Sequence, residues 1–262
     1  MNWIEALILG IIQGLSEFLP ISSSGHLEIG KVLLGVEAEK SLIFTVIVHG
    51  ATVLSTIVVF YKDIISLIKG ALKFKWNRET KDLFNIGVSM IPVLIVGLFF
   101  EEQVEMMFTG NLVLVGGMLL LTAVLLAFTF YAKRNTKSIS TGNAFIIGLA
   151  QAIAVIPGIS RSGSTIATGL LLGNKREEVS RFSFLMVLVP IIGANILSLK
   201  DFEGADHSQI SFLVLAVGFV AAFVAGLLAC KLMIRIVNRG KLIWFSIYVA
   251  IVGIIALFVG LA

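Results

Sequence analysis

The sequence predicts an all-α integral membrane protein: six transmembrane helices plus two re-entrant helical hairpins, arranged as an inverted-topology repeat. Three observations carry this. Of the 262 residues, 58% are hydrophobic and only 14% charged, against about 25% charged in a soluble domain. Six apolar runs approach the roughly 20 residues that a helix needs to cross a hydrocarbon core of about 30 Å. Two further apolar stretches are each broken by a Ser/Gly-rich segment and match one another in sequence.

The six runs lie near 42–61, 84–100, 111–132, 182–199, 211–230 and 243–261. Those at 84–100 and 182–199 are short and carry Pro92 and Pro190, so kinks are expected there, which neighbouring helices can accommodate. The net charge of +4 does not point to nucleic acid, because the basic residues cluster between apolar runs without aromatic residues to stack on bases. Cys230 is the only cysteine, which excludes an intramolecular disulfide and a cysteine-built metal cluster. The first basic residue is Lys31 and Glu5 is already present, the opposite of a cleavable signal peptide, so a retained N-terminus is expected.

Basic residues are enriched in cytoplasmic loops. Three segments carry them: 62–81 (Lys62, Lys69, Lys73, Lys75, Arg78, Lys81), 133–137 (Lys133, Arg134, Lys137) and 231–241 (Lys231, Arg235, Arg239, Lys241). The acidic stretch 101–105 and the loop near 200–210, with Lys200 alone, are expected outside. Tracing six spans between these anchors leaves 1–41 outside and both 133–142 and 174–181 inside, so 143–173 must enter and leave on the cytoplasmic side. The stretch 5–36, broken at Pro20–His26, then enters from the outside. The segment 62–81, alternating basic and apolar residues around Trp76, reads as an interfacial helix drawn to anionic lipid.

Opposite entry marks an inverted repeat, and the residues agree: aligned without gaps at an offset of 138, 5–35 and 143–173 share 11 identities in 31 positions. They include Gly10/Gly148, Gln13/Gln151, Ser22/Ser160, Ser24/Ser162 and Gly25/Gly163. The chain thus reads as one membrane domain over 1–262, with repeats of about 1–132 and 133–262.

Non-helical backbone at membrane depth survives only where it is buried in protein or lines a wet cavity. Two breaks imply one shared polar site. Each is followed by a half-helix whose free N–H groups and positive dipole end point inward. The serines there can cap or donate, the glycines let backbone approach, and Arg161 adds charge, so an anion site is expected. A charge at that depth costs about 2.5–3.5 kcal/mol or more unless paired; Arg161 either neutralises Glu17 or grips a phosphate bidentately. Gln13 and Glu17, four apart, share a helix face, and Glu17 suggests a ligand for Mg²⁺ or Ca²⁺ or an acid/base. His26 suggests a nucleophile or a base activating Ser23 or Ser24. A packing role is expected for His49, and a solvated one for His207.

At this point the motifs resemble a known family. Residues 13–17 (Gln-Gly-Leu-Ser-Glu), 18–26 (Phe-Leu-Pro-Ile-Ser-Ser-Ser-Gly-His) and 157–165 (Pro-Gly-Ile-Ser-Arg-Ser-Gly-Ser-Thr) resemble the undecaprenyl-diphosphate phosphatases of the bacitracin-resistance (BacA/UppP) family, along the full chain. Gln13 stands where many members have Glu, which leaves one carboxylate fewer for metal. The resemblance implies hydrolysis of undecaprenyl diphosphate to the monophosphate, recycling the lipid carrier of cell-wall synthesis. It also implies divalent-metal dependence and a multi-pass protein of the bacterial plasma membrane with its site open to the outer face. By motif match, Glu17, His26, Ser23 and Arg161 are expected to be catalytic. Ser22, Ser24, Gly25, Ser160, Ser162, Gly163 and Thr165 are expected to bind substrate, and Glu17 with Gln13 to hold metal. The expected partners are the polyprenyl diphosphate, the membrane and a second copy in a homodimer. The rival reading is a carrier or lipid-phosphate flippase using the same midplane site; a binding protein without turnover is third.

Overall fold

The computed structural model describes residues 1–36, 38–107, 111–132, 136–201 and 211–261. His207, Lys133 and Arg134, which the sequence places in loops, lie outside them. Among the described residues the secondary structure is helical without strands, apart from one isolated bridge between Lys137 and Asn174. The helices are α1 (Trp3–Phe18), α2 (Ser23–Leu34), α3 (Ala38–Val59), α4 (Tyr61–Ala71), α5 (Arg78–Phe99), α6 (Glu101–Glu105) and α7 (Leu112–Phe128) in the first half. The second half holds α8 (Thr141–Ile153), α9 (Arg161–Leu171), α10 (Arg176–Met186), α11 (Leu188–Asp201), α12 (Phe212–Arg239) and α13 (Ile243–Leu261).

Four helices are long and apolar enough to cross a membrane: α5, α7 with its short 3₁₀ extension, α12 and α13; α3 with α4 makes a fifth if that bent pair is one span. Their outward faces are apolar, with Leu98, Phe99, Ile255 and Phe258 all exposed, as a lipid solvent requires. Helix α4 turns 72° away from α3 at Phe60. The expected kink at Pro92 does not interrupt α5, which is continuous around it. The run 182–199, however, is not one helix. It is divided at Val187 into α10 and α11, and Pro190 explains the division. As the third residue of α11 it needs no intrahelical donor, whereas in a continuous helix it would leave the Met186 carbonyl unpaired and clash with it.

The two halves share their punctuation. Asn2 caps α1 and Ser140 caps α8; Ser22 caps α2 and Ser160 caps α9. Each second-half cap falls 138 residues after its counterpart. The same holds for Gly35 and Gly173, which follow α2 and α9 with φ of 65° and 92°. Packing is reciprocal as well: α1 lies against α12, α8 against α5, and α7 against α13. Buried Phe44, Leu9 and Val48 fill one core cluster, Val115, Leu119 and Val249 a second, and Phe184, Met186, Ile166 and Met233 a third.

Small residues set the closest crossings. A Cβ at Gly14 would meet the Ala222 carbonyl oxygen at 2.5 Å and Ala225 Cβ at 2.7 Å, while one at Gly117 would meet nothing within 4 Å. Gly14→Ala is therefore expected to destabilise by about 1–3 kcal/mol through overpacking, and Gly117→Ala to stabilise by about 0.5–1 kcal/mol through helix propensity. Thermal unfolding of both variants in one detergent tests this; an unchanged midpoint for Gly14→Ala would show that α1 and α12 separate freely.

Candidate active site

The site forms where the two broken hairpins meet. The α1 helix stops after Phe18 because Pro20 follows, and the chain restarts as α2 once Ser22 accepts a hydrogen bond from the Gly25 N–H (3.2 Å). In the second half Ser160 accepts from the Gly163 N–H (3.1 Å) and starts α9. The breaks touch through their small residues: a Cβ at Gly25 would meet Gly158 Cα, and one at Gly163 would meet Pro20 Cβ, each at 3.3 Å. Polar bonds cross the same junction. Ser162 Oγ donates to the Leu19 carbonyl (3.1 Å) and the Gly158 N–H donates to Ser24 Oγ (3.5 Å), while the Ser160 N–H ties the second break to α7 by donating to Thr122 Oγ1 (3.0 Å).

At this junction Arg161 Nη2 donates to Glu17 Oε1, uniting the last turn of α1 with the first residue of α9. The other carboxylate oxygen accepts from Gln13 Nε2 (3.0 Å) and lies 3.9 Å from His49 Nε2. Glu17 is buried, 6% exposed, so the pair is shielded from solvent screening. Both sequence readings of Arg161 have a counterpart in the geometry: Nη2 neutralises Glu17, and Nη1 is buried without a hydrogen-bond partner. Such a donor is costly unless a ligand meets it.

A cavity of about 360 Å³ opens on the pair, lined by Glu17, Arg161, Ser23, Ser24, Thr45 and His49 among others. A smaller space of about 10 Å³, room for one water, also borders the pair and is lined by Ser162, Thr165 and Ser183; Thr165 and Ser183 share a 2.6 Å hydrogen bond. Ser22 and Ser160 are buried caps whose hydroxyls are already engaged, and their side chains line neither space. Gly25 and Gly163 serve the contact between the breaks.

His26 is held at a contact of its own. Its side chain lines neither space. Nδ1 bonds the Ser22 carbonyl (2.9 Å), Nε2 meets Tyr248 Oη (3.0 Å), and the two rings stack at 5.7 Å. A partner 222 residues away turns the ring, which no local pattern signals. Conversely His49, expected to pack, lies beside Glu17. An ionisable residue within a span was the available signal.

Among the described residues no group of three or more His, Cys, Asp or Glu side chains gathers to hold a metal. What the site offers is one carboxylate and, one turn before it, Gln13 Oε1, buried and without a partner. Oxygens are the ligands that a hard cation of the Mg²⁺ or Ca²⁺ class takes, and it needs only one or two from protein when phosphate oxygens complete its shell; of these two residues Glu17 lines the cavity and Gln13 lines neither space.

Known proteins match this chain along most of its length. Residues 6–255 match the family model described as bacitracin resistance protein BacA. A protein of Parabacteroides distasonis named undecaprenyl-diphosphatase is 58% identical over 260 residues, 98% of each chain. One of that name from Bacteroides fragilis is 57% identical over 262 residues, covering 99% of this chain and 98% of its own. A third, from Methanosphaera stadtmanae, is 40% identical over 278 residues, 98% of each. None of the three is named as a carrier. Matched along nearly its whole length by the family model and by these relatives, the chain belongs to the BacA family of bacitracin resistance proteins.

Proposed function

We propose that this protein hydrolyses undecaprenyl diphosphate in the bacterial inner membrane to undecaprenyl phosphate and inorganic phosphate, the reaction for which its relatives are named. The observation that carries the reading is the buried, unpaired Arg161 Nη1 beside Glu17 and Ser23 on one cavity. A phosphate oxygen supplies the acceptor that this donor lacks, and the half-helix N-termini of α2 and α9 add positive potential.

In the mechanism these groups support, Arg161 Nη1 and the N-termini bind the terminal phosphoryl. Ser23 Oγ, which shares the cavity with Glu17, attacks the terminal phosphorus while Glu17 takes its proton; the anhydride P–O bond breaks and the lipid monophosphate leaves. Water then attacks the phosphoseryl phosphorus, freeing phosphate and restoring Ser23, whose oxygen regains a proton from Glu17. The second proton of that water ends on the departing phosphate. Charge growing on the transferring oxygens is what Arg161 stabilises. Glu17 and Gln13 would hold a divalent cation arriving with the diphosphate, which would neutralise part of its charge.

The architecture we infer is six spans, the fourth broken between α10 and α11, with α1–α2 and α8–α9 as re-entrant hairpins from opposite faces, each half being one repeat. The site then opens to the outer face and both termini lie outside. C-terminal reporter fusions should be active only in the outer compartment; activity confined to the cytoplasm would refute the tracing. The function is tested by release of inorganic phosphate from undecaprenyl diphosphate by purified protein in detergent, with no gradient present. Transfer of intact lipid across a sealed membrane without phosphate release would favour a carrier instead.

A further inference from the structure

Beside the Glu17–Arg161 pair stands a residue that the mechanism above leaves unused. His49, on α3, lines the cavity that Glu17 and Arg161 share. Its Nδ1 lies 2.8 Å from the Thr45 carbonyl oxygen, and a carbonyl only accepts, so Nδ1 carries a proton and donates. In the neutral ring Nε2 is then an acceptor. What faces it at 3.9 Å is another acceptor, Glu17 Oε2. That oxygen accepts from Gln13 Nε2 (3.0 Å) and keeps a further lone-pair site.

Two acceptors held across such a gap repel unless something positive stands between them. A proton on Nε2 would serve, but Arg161 already neutralises Glu17, so an imidazolium would add an unbalanced charge within a span, which is costly. A divalent cation that meets a diphosphate there finds its counter-charge in it. The gap also suits such an ion, since bonds of about 2.1 Å to a nitrogen and to a carboxylate oxygen reach across about 4.2 Å at most.

Two further observations belong to a cation site. Ligating histidines commonly donate their other ring N–H to a backbone carbonyl, which fixes the ring and raises the basicity of the ligating nitrogen; the bond from His49 Nδ1 to Thr45 is of that kind. The same cavity is lined by Gln151 and Thr45, whose Oε1 and Oγ1 are buried without a hydrogen-bond partner. Gln151 is only 2% exposed. A hard cation keeps several waters, and water hydrogens are what these two oxygens lack.

We propose that His49 Nε2 is a metal ligand which, together with Glu17 Oε2, binds one divalent cation on this cavity, water and diphosphate oxygens filling its other positions. The inference deepens the proposed hydrolysis and rests on it for the diphosphate. A nitrogen among oxygens favours a transition ion, so Mn²⁺ is expected to bind more tightly than Ca²⁺.

Mn²⁺ alone is the probe, because its electron spin couples to a ligating nitrogen. Pulsed electron paramagnetic resonance of Mn²⁺ bound to the purified protein in detergent should show coupling to a nitrogen, and the signal should change when histidine carries the heavy nitrogen isotope. His49→Gln should lose this coupling and weaken Mn²⁺ binding about ten-fold or more. The preference for Mn²⁺ over Ca²⁺ should shrink in the same variant, because an amide offers oxygen in place of nitrogen. His26→Gln, altered at a side chain that lines neither space, should keep the coupling. Mn²⁺ that fails to bind the wild type, or binds it without nitrogen coupling, overturns the proposal even if His49→Gln fails to fold. So do coupling that survives in His49→Gln and unchanged Mn²⁺ affinity in that variant when folded. Coupling to His49 in a protein that releases no phosphate from undecaprenyl diphosphate overturns the proposed hydrolysis and leaves the cation site standing, whereas phosphate release beside Mn²⁺ without nitrogen coupling overturns this inference alone.

Discussion

Arg161→Lys is expected to lower kcat for phosphate release by about 10²–10³-fold, the usual effect of removing one preorganised donor from developing charge. Charge is conserved in this variant, so the loss isolates geometry. The guanidinium reaches Glu17 through Nη2 and leaves Nη1 for a ligand. A lysine ammonium is one compact charge that can sit beside the carboxylate or beside a phosphate but lacks the planar fork that serves both. Because the charge pair survives, the unfolding midpoint should move little. Arg161→Ala would instead leave Glu17 buried and unpaired, at about 3–5 kcal/mol, which confounds activity with stability. Near wild-type turnover by a folded Arg161→Lys would mean that Arg161 serves the fold rather than the phosphate.

Glu17→Gln is expected to reduce turnover by about 10²–10⁴-fold, the range for losing a proton-transfer group. It should also remove the dependence of substrate binding on a divalent cation. The neutral amide can still accept from Arg161, so the junction of the two breaks should persist. Gln13→Glu adds a carboxylate one turn before Glu17 and should tighten metal affinity while leaving turnover within a modest factor. Both effects are read from one titration of phosphate release against Mg²⁺ in wild type and the two variants, with chelator as the zero point and thermal unfolding as the control for folding. Unchanged half-saturation in Gln13→Glu, together with metal-dependent turnover in Glu17→Gln, would remove these residues from any metal site and leave Glu17 as a base or as the partner of Arg161.

Much of this architecture was legible in the residues because its signals are local. Capping is decided by one side chain and the next three residues, so the match of Ser22-x-x-Gly25 with Ser160-x-x-Gly163 specified two half-helix starts that the structure places 138 residues apart. That Glu17 and Arg161 would meet was foreseeable for a different reason: each is too costly alone at membrane depth. What stayed hidden depends on contacts across the molecule. The direction of the His26 ring is set by Tyr248 on the last helix, and the role of His49 by the α3 face that meets Glu17. The division of the 182–199 run turns on whether Pro190 falls inside a helix or in its first turn, and the apolar pattern permits both. Arg161 Nη1, Thr45 Oγ1 and Gln151 Oε1, orphaned atoms of three residues that line one cavity, are facts of packing that no motif announces.

The Glu17–Arg161 pair also bears on how such a molecule arose and on whether it can be taken apart. Under the 138-residue offset the counterpart of Glu17 is Val155, and that of Arg161 is Ser23. Two copies of the first half joined face to face would therefore offer carboxylates and serines with no guanidinium. Two copies of the second would bury a pair of arginines opposite valines. Neither self-pairing balances its charge, whereas one half of each kind does. The Glu17–Arg161 pair thus draws one member from each half of the chain, and the covalent tether guarantees that the acid half meets the base half and never its own twin.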